Sequence, residues 1–159
     1  METLLNWPLI VVILVVLGLL VMLALTSIGS AIGVAVVGNA VVGGLKKNPD
    51  MFGKGMILSA LPSTQGLYGF AAFFLFLTKL ANMPTLTYMQ AILIFAAGSS
   101  LGLAGYFSAI YQSKIACNGV LELSNGREVF GQTLILTVFS ELYAILTFAA
   151  AFLVYALAI

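Results

Sequence analysis

The chain has 159 residues and a formal net charge of +1, with 62% hydrophobic and only 7% charged residues. So few polar groups cannot cover a water-facing domain of this size, which makes lipid the surrounding solvent and the chain an integral membrane protein. The near-neutral charge excludes a nucleic-acid-binding face, and a single cysteine (Cys117) with no histidine excludes a disulfide framework, a Cys/His zinc site and His-dependent catalysis.

Charged residues divide the chain into long apolar runs, the longest of which lies between Glu2 and Lys46. A bilayer span needs about 20 apolar residues. The sequence therefore predicts an all-α membrane protein with four transmembrane helices. They are expected near residues 8–45, 51–80, 84–123 and 127–157, with Pro8 and Pro84 at first-turn positions.

Short polar segments separate the predicted helices. Residues 46–50 and 124–128 form two polar turns, and residues 81–84 form a tight turn on the opposite side. Most basic residues cluster toward the two polar turns, namely Lys46, Lys47, Lys54, Lys114 and Arg127. The positive-inside tendency then predicts a multi-pass protein of the cell membrane with both polar turns in the cytoplasm and both termini outside.

The chain contains an internal repeat. A shift of seventy-eight residues places residues 30–32 on 108–110, both Ser-Ala-Ile, and residues 52–53 on 130–131, both Phe-Gly. The two polar turns stay in register without a gap. Self-similarity of this kind indicates duplication. The sequence therefore predicts two tandem helical hairpins, residues 1–82 and 83–159.

Small and polar residues recur every four positions along the first and third predicted helices. In the first helix they are Ser27, Ala31, Ala35, Asn39 and Gly43, beside a Gly-x-x-x-Gly pair formed by Gly29 and Gly33. In the third they are Ala96, Ser100, Ala104, Ser108, Gln112 and Ala116. In lipid, such stripes let helix backbones approach closely. They fit packing within one bundle, or packing between many copies of a homo-oligomer around an axis.

Glu141 is the one acidic residue far from any turn, because it lies thirteen residues beyond Glu128 and eighteen before the last residue. This position is near the middle of the bilayer, where a carboxylate costs on the order of 3 kcal/mol or more. Glu141 is therefore the first candidate for a functional group. The alternative is a protonated or hydrogen-bonded Glu that only packs.

Other oxygen-bearing residues fall at a similar depth. When two extra residues are allowed in the first hairpin, Gln65 takes the place of Glu141. Gln112 lies twelve residues before Ser124, and the Thr64 hydroxyl is adjacent to Gln65. A proline in this segment, Pro62, distorts the helix and can expose backbone oxygens. One such oxygen is the carbonyl of the residue before it, Leu61.

This set of donors limits the ion that could bind. Hard oxygen donors suit hard cations, and no nitrogen or sulfur ligand is present for a transition metal. One carboxylate balances one monovalent charge, whereas calcium usually recruits more carboxylates. A proton needs only the Glu, so the additional neutral oxygens favour sodium. The alternative is that the Gln and Thr side chains are interhelical hydrogen-bonding groups.

Two segments resemble a known family. The Leu-Pro-Ser-Thr-Gln-Gly-Leu-Tyr-Gly run at residues 61–69 and the Ser-Glu-Leu-Tyr-Ala-Ile-Leu run at 140–146 resemble the four-helix proteolipid rotor subunit of V-type rotary ATPases. The likeness covers nearly the whole chain and is closest to the bacterial sodium-translocating type. It implies a transporting carboxylate at Glu141 and a tyrosine at Tyr68 that hydrogen-bonds it. The implied sodium ligands, beside Glu141, are Leu61 through its carbonyl, Thr64, Gln65 and Gln112.

The resemblance also implies partners and a mechanism. Many copies would form a ring in the membrane lipid, whose cytoplasmic turns bind the central-stalk subunits of the soluble ATPase sector. A stator subunit would offer two half-channels and an Arg. Each chain would carry one Na⁺, because Gln65 replaces a second acid. The chain itself would hold no catalytic site and no organic cofactor.

Three alternatives stay open on the sequence. A rotor of the same family could carry H⁺ with much the same framework. A small cation-coupled secondary transporter would also use a membrane Glu, but it would normally surround it with aromatic walls, and here only Tyr68 and Tyr143 are near. A tetraspan scaffold would have no use for ion ligands at mid-membrane.

Overall fold

A computed structural model describes residues 7–159, and within them the chain is all helical. The helices are α1 (Leu9–Gly44), α2 (Phe52–Ala60), α3 (Thr64–Leu80), α4 (Tyr88–Ser124) and α5 (Phe130–Leu157), with 3-10 turns at Pro49–Met51 and Leu61–Ser63. Four stretches of this part of the chain are long and apolar enough to cross a membrane: Leu9–Gly44, Pro49–Leu80, Tyr88–Ser124 and Phe130–Leu157. The predicted all-α class with four spans is confirmed. Glu2, at the start of the first predicted hairpin, lies outside the described residues.

The third span begins later than the sequence suggested. Pro84 is not in a first turn, because α4 starts at Tyr88 with Thr87 as its N-cap. The Thr87 hydroxyl accepts from the Gln90 backbone N–H at 3.2 Å, and the Gln90 side chain accepts from the Thr87 N–H at 3.0 Å. This reciprocal capping box satisfies two helix-end donors, which a proline could not do. The carbonyl of Pro84 instead accepts from the Trp7 indole at 3.3 Å.

The fourth span also begins later, at Phe130 rather than Arg127. Arg127 pairs with Glu122 on the other side of the turn at 2.6 Å. Gly126 between them has φ +81°, in the left-handed region that glycine adopts without strain. The turn therefore closes tightly before the helix can start.

A 3-10 turn at Leu61–Ser63 interrupts the second span between α2 and α3. Pro62 within it has no backbone N–H to donate, so the regular ladder cannot continue. The Leu61 carbonyl accepts instead from the Thr64 N–H and, at 3.0 Å, from the Thr64 hydroxyl. The Gly66 N–H donates across to the Ser30 hydroxyl of α1 at 2.8 Å. The distortion expected at Pro62 is thus present. The hydroxyls of Thr64 and Ser30 supply hydrogen bonds to backbone groups of this segment.

The opening helices of the two hairpins, α1 and α4, pack against each other more extensively than any other pair. Their backbones touch at glycines. A Cβ added at Gly98 would lie 2.1 Å from the Gly18 carbonyl oxygen, and one added at Gly29 would lie 2.7 Å from the Tyr106 Cα. In lipid no hydrophobic driving force acts between helices, and such close approach of their backbones is what lets them associate. α3 packs on α1 and α5 on α4 around this central pair.

The predicted small-residue stripes are partly buried within the chain and partly exposed on its surface. Gly29 and Gly33 pack inside the chain, since a Cβ at Gly33 would lie 2.6 Å from the Pro62 Cβ. The stripe beside them is exposed throughout: Ser27, Ala31, Ala35, Asn39 and Gly43. On α4, Ala96 and Ser100 are exposed and Ala104 is partly buried, whereas Ser108, Gln112 and Ala116 are buried within the chain. Some residues of the stripes are therefore suited to packing within one chain, and others to packing between copies.

Two apolar clusters lie on either side of a layer of buried polar side chains. One cluster includes Met22, Phe76 and Leu101, and the other, nearer the polar turns, includes Leu58 and Val120. The polar layer between them consists of Thr26, Ser30, Gln65, Ser108, Gln112, Thr137 and Glu141. Most of the buried polar side chains of the described residues therefore lie in this layer, whereas Ser113, Ser124 and Thr133 are buried nearer the polar turns.

Side chains also join the two polar turns. The Asn48 amide donates to the Leu123 carbonyl in the last turn of α4 at 2.9 Å. Lys54 near the start of α2 pairs with Glu128 at 2.5 Å, and both side chains are solvent-exposed. The two hairpins are thus held together at this end, and not only along their helices.

Candidate cation-binding site

Glu141 lies on α5 and is 7% exposed. The Tyr68 hydroxyl on α3 donates to its Oε1 at 2.6 Å. The Gln112 amide on α4 donates to its Oε2 at 3.3 Å. Residues from three helices therefore meet at one carboxyl group, which the sequence places near mid-membrane.

Gln65, in the first turn of α3, is fully buried beside this carboxyl group. Its Nε2 donates to Gln112 Oε1 at 2.9 Å and to the Ser108 hydroxyl at 3.0 Å. Its Oε1 accepts from the Thr64 hydroxyl at 3.3 Å. The Thr64 hydroxyl also lies 3.0 Å from the Leu61 carbonyl. One connected network thus links the carboxylate to two amides, two hydroxyls and a backbone carbonyl.

Backbone carbonyls of α5 anchor this network from the other side. Gln112 Nε2 donates to the Thr137 carbonyl at 3.2 Å, and the Ser108 hydroxyl donates to the Ser140 carbonyl at 2.8 Å. Every buried side-chain nitrogen and oxygen of the described residues has a hydrogen-bond partner. Hydrogen bonds consequently hold the polar side chains of the network in fixed positions without a bound ligand.

Within residues 7–159, no basic side chain forms an ion pair with Glu141. The ion pairs within residues 7–159 are Lys54–Glu128 and Arg127–Glu122, both at the polar turns. Lys79 donates to the Tyr155 carbonyl at 2.9 Å, near the far end of α5. A buried carboxylate without a charged partner is costly unless it binds a proton or a cation. The arrangement can therefore accommodate one positive charge that the described residues do not supply.

The donor types specify what could fill the site. No three His, Cys, Asp or Glu side chains come together in the described part of the chain, so a multi-carboxylate calcium site or a nitrogen and sulfur site is not formed there. One carboxylate with neutral oxygens suits a monovalent hard cation or a proton.

The structure brings all six residues named from the sequence into one neighbourhood: Leu61, Thr64, Gln65, Tyr68, Gln112 and Glu141. Tyr143, considered as an aromatic neighbour, is 69% exposed on the outside of α5. The sequence places Ser108 in the packing stripe and in the repeat, where it aligns with Ser30, but does not indicate that it joins this polar network.

Comparisons with known proteins agree with this architecture. The model of the family of the ATP synthase C subunit matches twice, over residues 17–76 and 95–154. The second match begins seventy-eight residues after the first, which is the shift at which the sequence repeats itself. The tandem pair of hairpins is thereby confirmed.

Two relatives extend over most of the chain. The V-type sodium ATPase subunit K of Enterococcus hirae is 36% identical over 128 residues, covering 80% of this chain and 81% of the relative. The A-type ATP synthase subunit K of Methanocaldococcus jannaschii is 35% identical over 123 residues, covering 76% of this chain and 52% of the relative. With two family matches that together span most of its length, the chain belongs to the family of the ATP synthase C subunit.

Proposed function

We propose that the chain is a rotor-ring subunit of a sodium-translocating V/A-type ATPase and carries one Na⁺ per copy. The observation that carries this proposal is the buried Glu141, which has no basic partner among the described residues and lies in a network of neutral oxygen-bearing groups. The relative named as a V-type sodium ATPase subunit K supports the choice of ion. Glu141, Gln65, Gln112, Thr64 and the Leu61 carbonyl are the proposed ligands, and Tyr68 supports the site through its bond to Glu141.

Transport would follow from the charge balance at Glu141. A site that faces lipid must be neutral, so each copy travels only when its carboxylate holds a cation. Where the ring meets a stator, an Arg of that stator would compensate the carboxylate while the ion leaves. The polar turns would bind central-stalk subunits of the soluble sector, which supplies ATP hydrolysis. This chain contributes ion binding and needs no organic cofactor.

The experiment that tests the ion is carbodiimide labelling of Glu141 in membranes. The reagent attacks protonated carboxyl groups where water is scarce, whereas Asp50, Glu122 and Glu128 lie at the polar turns. We expect Glu141 to be the main labelled residue and saturating Na⁺ to slow its labelling, because Na⁺ and the proton compete for one site. Raising the pH should strengthen the protection, since fewer protons compete.

Potassium at equal ionic strength is the control and should protect little, because a site closed around the smaller ion fits it poorly. Gln112→Ala should weaken the sodium protection while Glu141 remains reactive, since a ligand is lost but the acid is kept. If sodium fails to protect at every pH where labelling can be followed, the ring carries protons instead.

Ring assembly would use the exposed stripe on α1. Ala31→Leu and Ala35→Leu should each hinder oligomer formation, since overpacking a close interface typically costs about 1–3 kcal/mol. Gly33 is unsuitable for this test, because its Cβ position is blocked by Pro62 within the same chain. Sedimentation of detergent-solubilised oligomers measures the effect, with Val36→Leu at an exposed position beside the stripe as control. Unchanged assembly of both alanine variants would place the interface elsewhere.

We further propose the predicted orientation, with both polar turns cytoplasmic and the hairpins divided at residues 82 and 83. In a Cys117→Ser background, Lys47→Cys and Asn125→Cys occupy exposed positions on the two turns. They should resist an impermeant thiol reagent in intact cells, whereas Thr85→Cys on the opposite turn should react. The reverse pattern of labelling would invert the topology and with it the proposed docking of the stalk.

A further inference from the structure

Ser108 occupies an unusual place in the polar layer. It is 5% exposed on α4 and contacts both hairpins at once. Its hydroxyl donates to the Ser140 carbonyl of α5 at 2.8 Å, and the Gln65 Nε2 of α3 lies 3.0 Å from the same oxygen. Ser108 is not among the proposed sodium ligands.

A hydroxyl has one proton and can accept further bonds only through its lone pairs. The Ser140 carbonyl can only accept, so the Ser108 proton is committed to it. Ser108 must then accept from Gln65, which requires the NH₂ end of the Gln65 amide to face it. A hydroxyl with a free proton would have tolerated either end of the amide.

Gln112 imposes the same requirement from a second side. Its NH₂ group is committed to the Thr137 carbonyl and to Glu141, at 3.2 and 3.3 Å. Its oxygen is thereby turned toward Gln65, whose Nε2 donates to it at 2.9 Å. Both protons of the Gln65 amide are thus held, and its oxygen is left facing the Thr64 hydroxyl.

We infer that Ser108 is a positioning residue that fixes the orientation of the Gln65 amide, so that its oxygen, and not its NH₂ group, is presented to the transported cation. The inference rests on the proposed function. A half-turn of the amide would aim two partly positive hydrogens at the ion and remove one ligand. Fixing the amide before binding also removes the cost of ordering it at that moment.

The repeat gives this serine a contrasting counterpart. Ser30, which aligns with Ser108, accepts at 2.8 Å from the N–H of Gly66, four residues after Pro62. It therefore satisfies a backbone N–H in the first turn of α3, and within the described residues no hydrogen bond joins it to a side-chain amide. The equivalent serines of the two hairpins thus bond different groups, a backbone N–H in the case of Ser30 and a side-chain amide in the case of Ser108.

The test measures the sodium concentration that gives half-protection of Glu141 from carbodiimide in membranes containing the full chain. Ser108→Ala should raise it about tenfold, as expected for losing one buried polar contact. The rate of labelling without sodium should stay unchanged. Ser113→Ala is the matched control, because Ser113 is equally buried on α4 but bonds only the Ile110 carbonyl of its own helix, at 2.8 Å.

Two further variants separate positioning from general packing. Ser108→Cys keeps nearly the same volume but offers a weak donor and acceptor, so it should shift half-protection in the same direction. Ser108→Thr keeps the hydroxyl and should restore most of the affinity. In a Gln65→Ala background, Ser108→Ala should add less than about a twofold change, since the amide it positions is gone.

The outcomes are distinct. If sodium does not protect the unsubstituted chain, the proposed sodium function fails and this inference fails with it. If sodium protects the unsubstituted chain and the Ser108→Ala and Ser108→Cys variants equally well, only the positioning role is overturned. A full effect of Ser108→Ala in the Gln65→Ala background would likewise overturn it.

Discussion

Glu141→Gln is expected to abolish ATP-driven sodium uptake into membrane vesicles. Gln keeps the size and hydrogen-bonding capacity of the side chain but cannot balance a positive charge. A cation bound among neutral oxygens would stay charged at mid-membrane, where insertion scales place the cost on the order of 3 kcal/mol or more. Uptake of radioactive sodium should fall to the level seen without ATP, and carbodiimide labelling of the chain should nearly disappear.

Glu122→Gln is the matched control because it makes the same chemical change at the exposed polar turn, where Glu122 pairs with Arg127 at 2.6 Å. An exposed ion pair contributes at most about 1 kcal/mol, so uptake should remain near that of the parent. Sodium uptake that persists in the Glu141→Gln variant would contradict the assignment of Glu141 as the transporting group.

Gly98→Ala is expected to be the most damaging of the single methyl additions that meet backbone atoms in the described part of the chain. The new Cβ would lie 2.1 Å from the Gly18 carbonyl oxygen and 2.6 Å from its carbonyl carbon. Backbone atoms cannot rotate aside as a flexible side chain can, so α1 and α4 would have to separate. Overpacking of this kind typically costs about 1–3 kcal/mol and occasionally more. The measurement is the midpoint of thermal unfolding in detergent.

Gly131→Ala serves as the control, because nothing lies within 4 Å of the Cβ added there, near the start of α5. Alanine has the higher helix propensity by about 1 kcal/mol, so this variant should be as stable as the parent or more so. Equal unfolding midpoints for the Gly98 and Gly131 variants would show that α1 and α4 do not meet at Gly98.

Sequence reasoning predicted the spans because charge and apolar length are properties of the chain itself. The starts of the helices were harder to place. Pro84 suits a first turn in general, but Thr87 and Gln90 together satisfy more donors and set the start of α4. A propensity at one residue was outweighed by a reciprocal pair three residues apart.

The depth of the site residues in the membrane could be predicted from the sequence, but the hydrogen bonds between them could not. Counting residues from the polar turns put Gln65, Gln112 and Glu141 at one level, because a helix rises uniformly along its axis. Which of their atoms bond which others depends on the rotation of each helix about its axis. For α1 and α4 that rotation is set by the contacts of Gly98 and Gly102 with the α1 backbone, and these two glycines lie outside the regular stripe that the sequence shows. The role of Ser108 depends on this rotation and could not be predicted.

The link between the two polar turns has a mechanical meaning. A stalk that turns a ring applies a tangential force to the loops that it binds. A loop held only by its own helices would bend under that force. Here the Asn48 side chain is fastened to the last turn of α4, and Lys54 is joined to Glu128. If the polar turns bind a stalk as proposed, a tangential load on either loop would therefore be shared by both hairpins.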